Sequence, residues 1–283
     1  MICWVNGHLA EQASPQIQPD DHGFTVGDGV FETLITKSGV PFALSLHLER
    51  LARSAQGLGL PAANPATVRA AVAAVIQANR IDHELRIRIT YTAGPGPAGS
   101  DRNTGGTGTL CVTASPANPW PATASLGLAP WPRNERSPLV GLKTTSYAEN
   151  AVALAWAQAR GHSEALLVNL TDQVCEGTGS NVFAVIDGQV VTPPLTSGCL
   201  AGITRQLVVQ WCQVTERTLS MAELHKAQEV FITSSTRDIH PVSAIDELTY
   251  PTPGPHTVRC QQIFTEMAAT NPDPDFVGIA RNA

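Results

Sequence analysis

A proline-rich stretch over residues 115–138, with Trp120 and Trp131 and little periodicity beyond the apolar run 126–129, divides this 283-residue chain into two parts. The boundary falls near residue 120, giving a first domain over 1–118 and a second over 119–283. With 43% hydrophobic and 15% charged residues, each part can bury a substantial core. The formal net charge of -6 is spread along the chain and no basic cluster is interleaved with aromatics, so nucleic acid is not an expected partner. The start Met1-Ile2-Cys3-Trp4 has no basic or long apolar leader, and no apolar run reaches the roughly 20 residues of a membrane helix. The expectation is a cytoplasmic protein without a membrane partner. The six cysteines lack a C-x-x-C pair, which argues against a metal site or redox dithiol and for reduced, mostly buried thiols.

The first part mixes strands with two helices. Residues 30–35 and 41–44 flank the turn Lys37-Ser38-Gly39 as a hairpin would. Leu46, Leu48, Leu51, Ala52 and Leu58 make a helical stripe, and a second helix is predicted over 65–78 behind an Asn64 cap. Residues 84–91 alternate Leu85, Ile87 and Ile89 with Arg86, Arg88 and Thr90, the period of a half-buried strand, with 109–114 as its partner. The Gly/Pro-rich segment 93–108 reads as a lid or a disordered surface loop. The second part reads helix (147–160), strand (164–170), hairpin (173–191), helix (203–212) and strand (229–233). The tail from Pro251 carries little signal. The fold class is α+β with two domains, and clefts between domains are favoured places for ligands.

The chemistry centres on lysine. Only Lys37, Lys143 and Lys226 occur, and Lys143 stands among uncharged residues in Gly141-Leu142-Lys143-Thr144-Thr145-Ser146-Tyr147. Lysine, unlike arginine, can lose its proton when buried, and a neutral amine attacks carbonyl compounds to give Schiff bases. A partly buried lysine whose head reaches water is the plain alternative. Gly202-Ile203-Thr204-Arg205 opens a helix whose free amides suit an anion, and Ser234 and Ser235 follow a strand where hydroxyls could converge on the same charge. Arg50, in His47-Leu48-Glu49-Arg50-Leu51, offers the planar fork that fits phosphate, and Glu176 precedes the small residues Gly177-Thr178-Gly179-Ser180. Each motif alone is equally an ordinary turn, cap or solvated side chain.

The order of the motifs is specific. Asp21-His22-Gly23-Phe24-Thr25-Val26-Gly27-Asp28-Gly29-Val30-Phe31-Glu32-Thr33, His47-x-x-Arg50-Leu51, Gly141-Leu142-Lys143, Glu176-Gly177-Thr178-Gly179-Ser180-Asn181-Val182-Phe183 and Gly202-Ile203-Thr204-Arg205 resemble the class IV, fold-type IV pyridoxal-phosphate enzymes. These include branched-chain aminotransferases, D-amino acid transaminases, R-selective amine transaminases and 4-amino-4-deoxychorismate lyases. The resemblance implies a D-amino acid aminotransferase-like fold: a small N-terminal α/β domain, a larger C-terminal pseudo-barrel domain and pyridoxal 5'-phosphate between them, in a homodimer acting on a small-molecule amino substrate. It implies that Lys143 carries the cofactor as a Schiff base and moves protons, and that Glu176 partners the pyridine nitrogen. Arg50, the amides of Ile203 and Thr204, the Thr204 hydroxyl, Ser234 and Ser235 would bind the phosphate. Tyr147 would hydrogen-bond the phenolic oxygen, one position out of register with the branched-chain enzymes' tyrosine. The compact size and the strings around Phe31 and Lys143 look most like aminodeoxychorismate lyases, which give 4-aminobenzoate and pyruvate for folate precursor synthesis. The alternative is a transaminase of D-amino acids, branched-chain amino acids or (R)-amines. The family's Arg-Gly pair is replaced by Thr92-Ala93-Gly94, which leaves a substrate carboxylate without a contact there or with one from Arg102.

Overall fold

The computed structural model describes residues 1–14, 17–80, 83–103 and 106–275. They form two compact units, one of Met1–Ala117 with Leu142–Ser146 and the chain from Ala268, the other of Asn118–Gly141 with Tyr147–Met267. This division differs from a single cut near residue 120 by placing the lysine segment with the first unit.

In the first unit, β1 (Ile2–Val5) and β2 (His8–Glu11) close a hairpin over Asn6-Gly7, both with positive φ. The short helix α1 (His22–Thr25) precedes β3 (Gly29–Lys37), β4 (Val40–Pro41), helices α2 (Leu44–Gly57) and α3 (Pro65–Ala78), β5 (Leu85–Thr92) and β6 (Thr109–Pro116). The sheet order is β2-β1-β6-β5-β3-β4. Alternation in β5 works as the sequence implies: Leu85, Ile87, Ile89 and Tyr91 join Val30, Leu34, Val112 and the helix residues Leu48, Leu51, Val72 and Val75 in one core. Arg86 and Arg88 face the other way and are exposed. Asn64 caps α3 by accepting from the amides of Ala66 and Thr67. The predicted hairpin is shorter than its pattern suggested, because Leu44 already begins α2 and only Val40–Pro41 pairs with β3.

The second unit contains β7 (Ala124–Leu128), α4 (Ala148–Gln158), β8 (Glu164–Val168), β9 (Val174–Gly177), β10 (Asn181–Ile186), β11 (Gln189–Thr192), α5 (Ile203–Trp211) and β12 (Thr215–Glu216). It continues with α6 (Met221–Leu224), β13 (Glu229–Ser234), β14 (Asp238–Ile245), β15 (Leu248–Thr249) and α7 (Pro255–Thr270). The strands run β12-β11-β10-β13-β14-β7-β8-β9, with β15 on β14 and parallel pairs at β14–β7 and β7–β8. Only part of the segment 173–191 is a hairpin. Strands β10 and β11 turn over Asp187-Gly188, both with positive φ, while β9 pairs with β8 instead.

The tail differs most from its sequence reading, because it forms the helix α7. Its first turn is capped by a residue far away in the chain: Glu229 accepts from the amides of His256 (3.0 Å) and Thr257 (2.8 Å) and from the Thr257 hydroxyl (2.7 Å). All six cysteines are free thiols. Among the described residues no helix is long and apolar enough to cross a membrane. Since Glu229 is buried and satisfies two helix-terminal amides, Glu229→Ala is expected to lower unfolding free energy by about 2 kcal/mol in urea titration. A loss below roughly 0.5 kcal/mol would show that α7 does not depend on this cap.

Candidate active site

The lysine segment belongs to the first unit because it pairs with the edge of β3. The Phe31 amide donates to the Lys143 carbonyl (2.9 Å), the Thr145 amide donates to the Gly29 carbonyl (2.8 Å), and Val30 and Thr144 form an antiparallel bridge. The hydroxyls of Thr145 and Ser146 both donate to the Gly27 carbonyl at 2.9 Å. Gly29 keeps this approach close, since a Cβ would stand 3.0 Å from both the Thr145 hydroxyl and the Tyr91 carbonyl and would press on them. The Lys143 amide donates to the Ser54 hydroxyl on α2 (3.1 Å), and its Nζ lies 4.4 Å from the centre of the Phe31 ring. The guanidinium of Arg88 lies 3.8 Å from the same ring centre. Two cationic side chains therefore share one aromatic ring.

Behind that edge, on the α2 side of β3, Glu32 is fully buried. It accepts from Arg50 Nε (2.8 Å) and Arg50 Nη2 (2.6 Å), and the Nδ1 of His47 lies 2.6 Å away. Burial pushes the Glu32 carboxyl up, but Arg50 and His47 outweigh it and hold its pKa at about 2. Burial lowers the pKa of His47 against the pull of Glu32, so the ring is neutral at pH 7 and donates from Nδ1.

Residues 93–103 are tied down rather than loose. The His22 ring nitrogen Nε2 is 2.9 Å from the Pro97 carbonyl, and the His22 amide donates to the Gly94 carbonyl. Arg102 grips Asp28 at both carboxylate oxygens (2.6 and 2.5 Å) and donates to the Leu58 and Gly59 carbonyls. Arg102, the candidate contact for a substrate carboxylate, is engaged here in pinning the loop.

In the second unit, Glu176 sits at the end of β9. Its Oε2 accepts from the Leu200 amide (2.9 Å), and its Oε1 is 3.2 Å from Arg133 Nε, an ion pair without hydrogen-bond alignment. The Tyr147 hydroxyl donates to the Thr178 carbonyl (3.3 Å), which also receives Asn150 Nδ2. Thr178 is held in turn by Glu164, which accepts from its amide and its hydroxyl. Glu164 is paired with Arg237 at 3.0 Å, and the Arg237 guanidinium stacks 4.0 Å from the centre of the Trp120 ring. Arg133, Glu164 and Arg237 had no sequence signal, because their partners are remote in the chain.

Ile203 and Thr204 open α5, and both are buried. Gly202 is the cap residue, and no side chain satisfies the first amides. Its hydrogen is essential: a Cβ would lie 2.1 Å from Asn181 Oδ1, whose Nδ2 fixes the approach by donating to the Leu200 carbonyl. Asn181 pairs directly with Thr233, so the two side chains share one face of the sheet. The Thr233 and Ser180 hydroxyls are buried and have no hydrogen-bond partner among the described residues. The Ser234 hydroxyl is 3.4 Å from that of Thr236.

These residues fit pyridoxal phosphate. The second unit offers an uncapped helix start beside buried unsatisfied hydroxyls, which suits a phosphate, and an oriented carboxylate. The first unit offers a lysine amine and a buried arginine on neighbouring scaffold. Of the residues singled out in the sequence, the structure places Lys143 and Arg50 together in the first unit. Tyr147, Glu176, Ile203, Thr204, Ser234 and Ser235 are in the second.

Comparison with known proteins gives the same direction. Residues 29–245 match the family model for amino-transferase class IV. The chain is 30% identical over 280 residues to a D-alanine aminotransferase of Bacillus licheniformis, covering 94% of this chain and 98% of that protein. Among solved structures, the branched-chain aminotransferase of Thermoproteus uzoniensis superposes with a TM-score of 0.90 at 27% identity, covering 95% of each chain. The 4-amino-4-deoxychorismate lyase of Pseudomonas aeruginosa gives 0.83 at 29% identity, covering 96% of this chain and all of the other.

A Gly202→Ala variant tests the helix start. Crowding against Asn181 is expected to cost about 1–3 kcal/mol of stability. In equilibrium dialysis it should weaken binding of pyridoxal phosphate more than binding of unphosphorylated pyridoxal. Equal effects on both ligands would show that this turn does not face the phosphate.

Proposed function

The chain belongs to class IV of the aminotransferases, pyridoxal-phosphate-dependent enzymes of fold-type IV, and from that premise we propose that it transfers the amino group of an amino acid to a keto acid. The observation that carries the amino-acid reading is the pair of cations on Phe31, with Lys143 Nζ 4.4 Å and the Arg88 guanidinium 3.8 Å from the ring centre. An amino acid presents its carboxylate one carbon away from its amine. A guanidinium that shares a ring with the reacting lysine offers that carboxylate a partner, whereas a simple amine gives it nothing to bind. Arg88 lines an open groove of about 530 Å³ with Arg86, Thr33, Thr113 and Cys111, on the sheet face opposite the core.

The cofactor, when bound, supplies the carbonyl that condenses with amines and the electron sink that lets the carbon bearing nitrogen lose its proton. Lys143 Nζ would hold the cofactor covalently, and its freed amine would take the proton from the substrate carbon bearing nitrogen. Arg50, the amides of Ile203 and Thr204, the Thr204 hydroxyl, Ser234 and Ser235 bind the phosphate. Glu176 keeps a proton on the pyridine nitrogen, with its carboxylate aimed by the Leu200 amide and the Arg133 guanidinium. Tyr147, fixed at the Thr178 carbonyl, orients the ring from its phenolic oxygen.

A second reading is 4-amino-4-deoxychorismate lyase. Its support is the similarity, across the whole length of the Pseudomonas aeruginosa chain, to a lyase structure. Transaminase relatives at equal or greater identity weigh toward amino transfer. The two differ in a requirement that can be measured, because a lyase needs no amino acceptor. Cofactor-loaded protein is expected to release more than one equivalent of keto acid per bound cofactor from an amino acid only when a second keto acid is present. Arg88→Gln should then raise KM for amino acids by about tenfold or more, the scale of one lost charged contact, with a smaller effect on a simple amine. Sustained release of 4-aminobenzoate and pyruvate from aminodeoxychorismate without acceptor would replace this reading with the lyase. Lys143→Ala should remove both the visible absorbance of the bound cofactor and turnover, and a variant that keeps either contradicts the role given to this lysine.

A further inference from the structure

Glu32 is a charged group sealed into the first unit at 0% exposure, and none of the roles above uses it. Its two oxygens take the Nε–Nη2 side of Arg50 (2.8 and 2.6 Å), a two-point contact that fixes the plane and the roll of the guanidinium. Such a contact directs the remaining donors of the fork, on Nη1 and the far side of Nη2, away from the carboxylate. His47 Nδ1, 2.6 Å from Glu32 Oε2, holds the carboxylate from a second side. His47, Arg50 and Ser54 lie on one stripe of α2 at the spacing i, i+3 and i+7. Ser54 accepts from the backbone amide of Lys143, so the arginine and the lysine are set by the same turns of the same helix.

Stability alone is a poor reason for this arrangement, since a buried ion pair can often be replaced by apolar groups without loss. We propose that Glu32, backed by His47, is a positioning residue for Arg50 and through it sets the affinity for the cofactor's phosphate. The inference rests on the reading of Arg50 as a phosphate-binding residue.

Charge and geometry make opposite demands here, which makes the idea testable. Glu32→Gln removes a negative charge, and on electrostatics alone a doubly charged phosphate should then bind more tightly. On the positioning account it should bind less tightly. The glutamine amide offers one acceptor and one donor where the fork needs two acceptors, so the guanidinium loses its fixed plane.

The experiment measures dissociation constants of pyridoxal phosphate and pyridoxal for the stripped full-length protein. It compares wild type, Glu32→Gln, Glu32→Asp, Arg50→Gln and the Glu32→Gln/Arg50→Gln double variant. Glu32→Gln is expected to weaken pyridoxal phosphate by roughly 10–100-fold, the range seen when a group that orients a ligand-binding side chain is removed. Pyridoxal binding should change less than about twofold, and the double variant should match Arg50→Gln alone, because a positioning residue has no effect without what it positions. Tighter or unchanged phosphate binding overturns the proposal, and so does an equal loss for both ligands, which would mark a purely structural role. If Glu32→Gln does not fold, Glu32→Asp carries the test: it keeps the charge but withdraws the carboxylate by one methylene, and should still weaken phosphate selectively. An Asp variant with wild-type selectivity for the phosphate overturns the proposal. Should Arg50→Gln itself leave the preference for the phosphorylated ligand intact, the reading of Arg50 fails, an outcome separate from any result at Glu32.

Discussion

The pairing of residues 143–145 with the edge of β3 is the contact on which the chemistry of the first unit depends. Two backbone hydrogen bonds, Phe31 to Lys143 and Thr145 to Gly29, place the lysine one residue from an aromatic ring and one helix away from the arginine. Strand period then divides the labour along β3. Val30 and Leu34 join the core and Glu32 meets Arg50 and His47 of α2, while on the other face Thr33 lines the groove that holds Arg88 and the Phe31 ring lies against the Arg88 guanidinium. A one-residue slip of β3 against β5 would exchange the two sets. Gly27 and Gly29 keep the register attainable, since side chains there would press on Ser146 and Thr145.

Buried carboxylates in both units are matched by arginines, Glu32 with Arg50, Glu164 with Arg237 and Glu176 with Arg133, and the fully buried Arg205 reaches the exposed Glu216. An ion pair removed from water needs a cation that stays charged and can use more than one donor, and guanidinium meets both needs.

The parts legible in the sequence are those whose causes are local. The strand Leu85–Thr92 follows from alternation, α3 from Asn64 and Pro65, and the turn over Asp187-Gly188 from two residues that tolerate positive φ. Lys143, Glu176 and the opening of α5 stood out because small residues surround them. What stayed hidden depends on distant partners. Helix α7 has a weak apolar face, and its cap is Glu229, remote in the sequence. The lysine segment joins the first unit through main-chain pairing, which leaves no trace in side-chain pattern. Glu32 looked like one residue of a motif string, and only its contacts with Arg50 and His47 reveal a shared function.

The separation between inherited machinery and substrate choice follows from the same geometry. The groups proposed to hold a cofactor lie on the core side of β3, at its edge, and at the start of α5, where burial and backbone pairing fix them. A family can therefore keep them while changing its reaction. Arg86 and Arg88 instead stand on the exposed face of β5, away from the core shared with α2 and α3, and alternation sets the direction of their side chains. Similarity to transaminases and to a lyase at comparable identity is what this arrangement should produce. On the proposed reading, discrimination between those reactions falls to side chains outside this fixed machinery, and Arg88, which reaches the same ring as Lys143, is the one placed to exert it.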